Sequence, residues 1–326
     1  MAGTRRRLRG RAYMRAVWLR EFGGPAVLQA GEAPDPAPGP GQVLIEVAFA
    51  NVTFVETQFR ATGTGPFGST LPMVPGNGVG GVISRAGEGV DPALVGKRVV
   101  TSTGGSGGYA QRVVVDAGLV FPVPHALSLD AAVALLADGR TATGLVHATA
   151  VAPGERVLVE AAAGGVGGLL VQLAKAAGAE VVAAAGGAEK LAHARELGAD
   201  LAVDYNDPQW TEKAGEVDVV FDGVGGAVGT AAFSLVRPGG RMAIYGLASG
   251  SWTEVSEEDA AARGVKLVRS IGDAAAMRGY TESALQAAAA GHLTPVIGQR
   301  FPLERAADAH AAIESRGTIG KTLLVA

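Results

Sequence analysis

The hydrophobic pattern changes its texture near Leu129. Before that point, short apolar runs are broken by glycine and proline. Residues 43–47 (Val-Leu-Ile-Glu-Val) follow the turn Pro38-Gly39-Pro40-Gly41, and residues 80–83, 98–100 and 109–115 repeat the style. Runs rich in valine and isoleucine with such punctuation predict a small, irregular β-barrel. A first strand is expected near Met14, where apolar and charged residues alternate. Residues 51–60 read as a further, polar strand and residues 61–75 as a long loop, a kind of segment that often carries function.

Beyond Leu129 helical stretches alternate with almost continuously apolar strands. The strands are expected at 156–159, 180–185, 201–205, 217–221 and 240–245, with helices at 166–177, 188–197 and 227–236 between them. That βαβα rhythm predicts a doubly wound parallel sheet covered on both faces, so the fold class is α/β. No repeat of solenoid length is present.

Composition narrows the chemistry. The 326 residues are 48% hydrophobic and 18% charged, enough for one large or two ordinary globular domains. A net charge of −3 gives no general attraction to nucleic acid or to an anionic membrane. The chain has no cysteine, which excludes disulfides, thiolate zinc sites, iron–sulfur clusters and a cysteine nucleophile. No run approaches the roughly 20 apolar residues of a membrane-spanning helix. Residues 1–13 carry Arg5, Arg6, Arg7, Arg9 and Arg11 without a following apolar stretch, and are expected to be a disordered basic tail or the product of an upstream start. The five histidines, His125, His147, His193, His292 and His310, lack ligand spacing, so no metal site is expected.

The stretch Ala161-Ala162-Ala163-Gly164-Gly165-Val166-Gly167-Gly168 lies between an apolar strand and an amphipathic helix. Against G-x-G-x-x-G it reads Ala162-x-Gly164-x-x-Gly167. Gly164 lets the backbone approach a pyrophosphate and Gly167 lets the helix pack on its strand, while the helix N-terminus faces the phosphates. An NAD site usually has an acid about 20 residues on, at the end of the second strand. Here that strand ends Ala183-Ala184-Ala185-Gly186-Gly187, with Lys190 just beyond and Tyr205 after the next strand. The missing carboxylate and the nearby cation suit a 2′-phosphate, although Glu189 argues mildly against it and Lys190 alone reads equally as a solvated helix residue.

These motifs, with residues 15–25, Glu189-Lys190-Leu191 through Asp200, Phe221-Asp222 through Gly226, residues 237–241 and the ending from His310 through Leu324, resemble bacterial quinone oxidoreductases. They belong to the zinc-free branch of the medium-chain dehydrogenase/reductase superfamily, and the likeness runs from Met14 to the last residue. The resemblance implies a GroES-like β-barrel domain from residues 14–136 and 277–326 around a Rossmann domain at 137–276, with NADPH in the cleft. It implies that Thr141 meets the nicotinamide carboxamide and that Gly164, Gly165, Val166 and Gly167 form the pyrophosphate turn. Lys190 and Tyr205 would hold the 2′-phosphate, Tyr245 and Gly246 would line the nicotinamide ribose, and Arg316 would add a C-terminal cofactor contact. A cytoplasmic homodimer is also implied.

The departures concern the active site. A serine common near Gly186 or Gly187 is missing. Thr53, Glu56 and Gln58 stand where the family commonly has asparagine, aspartate and tyrosine. The zinc-dependent relatives' cysteine at about Thr53 and His-Glu pair at about Asn77-Gly78 are absent. The expected reaction is hydride transfer from NADPH to a small-molecule quinone or enone, with Thr53 and Gln58 as hydrogen-bond donors to the developing oxyanion. Glu56 could be a general acid or an ordinary hydrogen-bond partner. A trans-acting enoyl-thioester reductase and a non-catalytic NADPH-binding protein remain open.

Overall fold

The computed structural model describes residues 13–68 and 70–326, so the basic run at 1–12 lies outside the described residues. Tyr13, assigned to the tail from sequence, opens the first strand. The chain divides into two compact units. One holds the described residues up to Pro122 with Phe301–Ala311 and Leu324–Ala326, and the other holds Val123–Arg300 and Ala312–Leu323.

In the first unit, β1 (Tyr13–Leu19) and β2 (Leu28–Pro34) form an antiparallel pair. The long strand β3 (Gln42–Val52) is followed by a helix, α1 (Phe54–Thr62), and then β4 (Gly78–Ala86), β5 (Arg98–Ser102), β6 (Arg112–Asp116) and β7 (Phe121–Pro122). The antiparallel ladder runs β3–β4–β5–β7, and β6 also pairs with β3. Val43, Leu44, Ile45, Val47, Ile83, Val99, Val100, Val113 and Val115 are buried. These β-branched runs therefore supply the core that the sequence pattern predicts. The register of β3 on β4 shifts twice. Beside the second shift a Cβ on Gly81 would lie 2.7 Å from Ile45 Cγ2 and closer still to the Glu46 carbonyl, so only glycine fits the irregular strand.

The second unit begins its regular structure with α2 (Leu129–Thr149), then β8 (Arg156–Glu160), α3 (Gly165–Ala176), β9 (Glu180–Ala185), α4 (Ala188–Glu196), β10 (Leu201–Asp204), α5 (Trp210–Ala214), β11 (Val217–Asp222), α6 (Gly226–Ser234) and β12 (Val236–Ile244). It continues through α7 (Glu257–Ala262), β13 (Lys266–Val268) and α8 (Ala274–Ala289), while β14 (Ile297–Pro302), α9 (Ala306–Glu314) and β15 (Lys321–Val325) each carry residues of both units. The parallel sheet has the order β10-β9-β8-β11-β12-β13. Val157, Leu158, Val159, Val181, Val182, Val219, Val220, Phe221 and Met242 have no exposed surface, which is why these strands read as continuous apolar runs. The order reverses between β8 and β11, the topological switch point where such sheets bind ligands beyond the strand carboxyl ends.

The division departs from the boundaries expected at residues 136/137 and 276/277. α2 is one uninterrupted helix of 21 residues that packs on α3 and α8, with Ala132, Leu135, Leu136, Ala142 and Leu145 buried. A boundary inside it would split a packed helix, so residues 123–136 and most of 277–323 group with the parallel sheet. Among the described residues no helix is long and apolar enough to cross a membrane.

Candidate cofactor site and polar cluster

β8 stops at Glu160 because the next residue, Ala161, takes a left-handed conformation with φ 49°, an uncommon one for a residue with a Cβ. The Ala161 carbonyl then accepts from the Gly164 N–H at 2.8 Å, closing the turn into α3. Gly164 is the N-cap and offers no side chain. The first helical bond runs from the Gly168 N–H to the Gly164 carbonyl at 2.9 Å, so the N–H groups of Gly165, Val166 and Gly167 have no acceptor in their own helix. They form the positive end of the helix dipole, which favours an anion.

The turn is shaped for close approach. A Cβ on Gly167 would lie 2.8 Å from the Ala161 carbonyl carbon and 2.9 Å from Ala162 Cα, and nearer to the Ala161 oxygen. Helix and strand can pack this tightly only with glycine there, as the motif predicts. Gly165 is constrained by a neighbour the motif does not mention: its Cβ would lie 3.1 Å from Asp138 Cγ and nearer to Oδ2. Asp138 is buried on α2 and accepts a 2.8 Å hydrogen bond from Lys321 Nζ. Gly320 donates its N–H to the Ala163 carbonyl at 2.7 Å and bridges to Gly164, which holds Lys321 beside the turn. Sequence reading missed this pair, because its members are 183 positions apart.

Lys190 sits in the first turn of α4, half-buried, and its ammonium donates to the Arg316 carbonyl. Arg316 itself has φ 57°. Burial first, and then the positive charge of Arg316, lower the Lys190 pKa, while Glu189 works the other way. Two cations therefore meet here, an arrangement that an anion would relieve. Tyr205 follows β10, and burial raises its phenol pKa. A Cβ on Gly186 would meet Asn206 Nδ2 at 3.0 Å and Tyr205 Cε2 at 3.1 Å, and Gly187 has φ 91°. Gly186 is thus packed against Tyr205 and Asn206. The Asp204 carboxylate near this end is committed to the N–H groups of Gly187, at 3.1 Å, and Asn206, at 2.9 Å.

Thr141 lies on α2 three residues after Asp138, half-buried. Tyr245 and Gly246 follow β12, and both donate their N–H groups to the Asp222 carbonyl, at 3.0 and 3.1 Å. The Tyr245 phenol lies against Gly223, where a Cβ would be 2.9 Å from its Cζ. Thr141, the glycine turn, Lys190, Tyr205, Tyr245, Gly246 and Arg316 all belong to the second unit.

In the first unit the structure corrects the reading of residues 51–60. Thr53 is not on a strand but caps α1, which contains Glu56 and Gln58. Its hydroxyl accepts from the Glu56 N–H at 3.3 Å and donates to Glu56 Oε2 at 2.8 Å, while its N–H donates to the same oxygen at 2.8 Å. This capping box was legible as Thr-x-x-Glu, but the β-branched residues around it masked the signal. The Thr53 hydroxyl hydrogen is directed to Glu56, so the threonine is not the free donor expected from sequence. Glu56 Oε1 accepts from the Asn77 N–H at 2.8 Å, which makes the buried carboxylate the link between α1 and the segment before β4. Gln58 is half-buried on the same helix.

Nearby, Arg60 is buried and donates to the Gly23 carbonyl, and the Tyr109 hydroxyl lies 2.9 Å from His310 Nε2. Burial, then the Arg60 charge, pushes the His310 pKa down to about 3, so this histidine is a neutral packing residue. Among the described residues no group of three or more His, Asp or Glu side chains could hold a metal ion.

Comparison with known proteins agrees with both units. Residues 39–125 match the alcohol dehydrogenase GroES-like domain, and residues 165–289 match the zinc-binding dehydrogenase family. A protein named "Probable quinone oxidoreductase" from Schizosaccharomyces pombe is 35% identical over 95% of this chain and 96% of its own length. A 2-haloacrylate reductase from Burkholderia sp is 32% identical over 95% and 98%. The solved structure of Escherichia coli quinone oxidoreductase complexed with NADPH superposes with a TM-score of 0.87 at 28% identity, covering 97% of this chain and all of that one.

Proposed function

The chain belongs to the quinone-oxidoreductase-like branch of the medium-chain dehydrogenase/reductase superfamily, and from that premise we propose that it passes hydride from NADPH to a quinone or an enone without zinc. It is an NADPH-dependent oxidoreductase of the quinone oxidoreductase type. The observation that carries the cofactor choice is the meeting of Lys190 and Arg316 beyond the glycine turn, with the nearby Asp204 carboxylate already bonded to backbone.

The residues present fit the dinucleotide. The free N–H groups of Gly165, Val166 and Gly167 would take the pyrophosphate, and the glycines leave the space for it. Lys190, Arg316 and Tyr205 would hold the 2′-phosphate by charge-assisted bonds. Thr141, Tyr245 and Gly246 would orient the nicotinamide end. When bound, NADPH supplies the hydride; the protein supplies position and donors. Gln58 is proposed as the donor to the oxygen that gains negative charge, since Thr53 is engaged by Glu56. Zinc is not needed in this scheme, and the chain has neither cysteine nor, among the described residues, a ligand cluster. The 2-haloacrylate reductase relative supports including electron-poor alkenes among the acceptors.

Titration with NADPH and NADH tests the cofactor choice. NADPH should bind at least tenfold more tightly, and Lys190→Ala should weaken NADPH about tenfold or more while leaving NADH unchanged, as loss of a bond worth about 1.5–3 kcal/mol requires. Equal wild-type affinities would refute the assignment. Steady-state oxidation of NADPH with a naphthoquinone, a simple enone and a crotonyl thioester then ranks the acceptors; turnover confined to the thioester would overturn the quinone and enone reading.

A further inference from the structure

We propose that one proton, shared by Glu160 and Asp222, locks together the two loops at the switch point of the parallel sheet and thereby sets the affinity for NADPH. Glu160 ends β8 and Asp222 ends β11, strands that pair directly, with Phe221 opposite Val159. Both side chains are fully buried. Glu160 Oε2 is 3.2 Å and Asp222 Oδ1 is 3.1 Å from the same N–H, that of Val224. Two buried carboxyl groups that converge on one donor cannot both carry charge at ordinary pH.

The donors decide which one is ionised. Asp222 receives the N–H groups of Val224 and Gly225, the latter at 2.7 Å, and the Thr253 hydroxyl. Glu160 receives only the shared Val224 N–H, and its Oε1 has no hydrogen-bond partner. Asp222 is therefore the carboxylate and Glu160 the acid, consistent with burial first, then the Asp222 charge, raising the Glu160 pKa well above its usual range. Among the described residues, the groups acting on Glu160 include no compensating cation. Besides Asp222 they are the phenols of Tyr205 and Tyr245; Asp138, itself held by Lys321, bears on Tyr245.

The pair joins both walls of the proposed cofactor site. On one side Glu160 immediately precedes Ala161, the left-handed residue that starts the phosphate turn. On the other, the Asp222–Val224 carbonyls accept from Tyr245, Gly246, Ala248 and Ser249, the segment proposed to line the nicotinamide ribose. Loss of the proton would place a second negative charge in a sealed space, drive the loops apart and oppose an anionic cofactor. By linkage, binding of the anion holds the proton more firmly, so the dissociation constant for NADPH rises with pH above the Glu160 pKa of the free protein, by up to tenfold per pH unit. The sign for folding is the same. A carboxyl group whose folded pKa is raised contributes stability that is complete below its unfolded pKa and lost as pH rises through the folded one.

The inference rests on the cofactor site proposed above, and the experiment separates the two. Infrared difference spectra of the wild type against Glu160→Gln, without cofactor, should show at neutral pH the carbonyl stretch of a protonated acid that the variant lacks. NADPH affinity is then measured for both from neutral pH to the pH at which that band vanishes. The expected result is a wild-type dissociation constant that climbs at least tenfold toward alkaline pH and a Glu160→Gln constant that stays within threefold, because the amide mimics the protonated acid. Absence of the band, or matching pH curves for the two proteins, overturns the proposal. Failure of the wild type to bind NADPH at neutral pH overturns the cofactor site instead, with the band still reporting the proton.

Discussion

Lys321 and Asp138 form an ion pair that can be broken from one side. Their side chains are 5% and 10% exposed and meet at 2.8 Å. Lys321→Met keeps most of the apolar stem but leaves the Asp138 carboxylate buried without its cation. Breaking a buried pair in this way costs about 3–5 kcal/mol. Part of the cost is offset here, since Asp138 Oδ2 lies against Gly165 at the positive end of α3 and that dipole contributes about 0.3–1 kcal/mol, rising to about 2 kcal/mol in partly buried geometry. The net expectation is a loss of about 2–4 kcal/mol, read from urea unfolding with unchanged slope. The double variant Asp138→Asn/Lys321→Met removes the orphaned charge and should recover at least half of that loss, which a purely steric account of Lys321 would not give. A single variant that loses under about 1 kcal/mol, or a double variant no more stable than the single, would refute the reasoning.

Gly167→Ala should lower stability by about 1–3 kcal/mol and weaken NADPH binding, because its Cβ meets backbone that cannot move aside; an unchanged melting temperature and dissociation constant would contradict this. Gln58→Leu should reduce turnover with the best acceptor about 10²–10³-fold without changing NADPH affinity, and wild-type turnover on every quinone and enone would remove Gln58 from the mechanism. Thr53→Val should cost about 0.5–2 kcal/mol of stability through the lost cap of α1, a loss that thermal unfolding measures. Exhaustive chelation should leave turnover unchanged, and a loss restored by zinc would show a metal role.

The parallel sheet was legible because its strands are buried on both faces and announce themselves as apolar runs bounded by glycine-capped helices. Glu160, Ala185 and Asp222 fall where strand ends were expected or one residue beyond, so the glycine turn could be placed without a structure. Residues 51–60 failed for a physical reason. Val52, Thr53, Phe54 and Val55 favour extended backbone, yet Thr53 and Glu56 close a capping box and Asn77 fixes the carboxylate, so the helix wins by hydrogen bonds that propensity does not count. The continuity of α2 across the expected boundary was also hidden, since the helical pattern was read only as beginning near Leu129.

What could not be read from the sequence is the charge arrangement around the glycine turn. Each acid there looks ordinary in isolation: Asp138 sits mid-helix, and Glu160 and Asp222 end apolar strands. Their partners lie 183, 64 and 31 positions away, as Lys321, the Val224 N–H and Thr253. Once folded, the three acids are distinguished by their donors alone. Asp138 has an ammonium, Asp222 has two backbone N–H groups and a hydroxyl, and Glu160 shares one N–H. That ranking leaves Glu160 as the acid with the fewest donors and the raised pKa, and it places its proton between the loop that would bind phosphate and the loop that would bind the nicotinamide ribose. A dinucleotide carrying several negative charges is bound beside three carboxyl groups only if their charge is offset, by Lys321, by helix and loop N–H groups, and by the proton on Glu160. The glycine motif would therefore supply the space for the pyrophosphate, and the proton on Glu160 would set the pH at which that space accepts it.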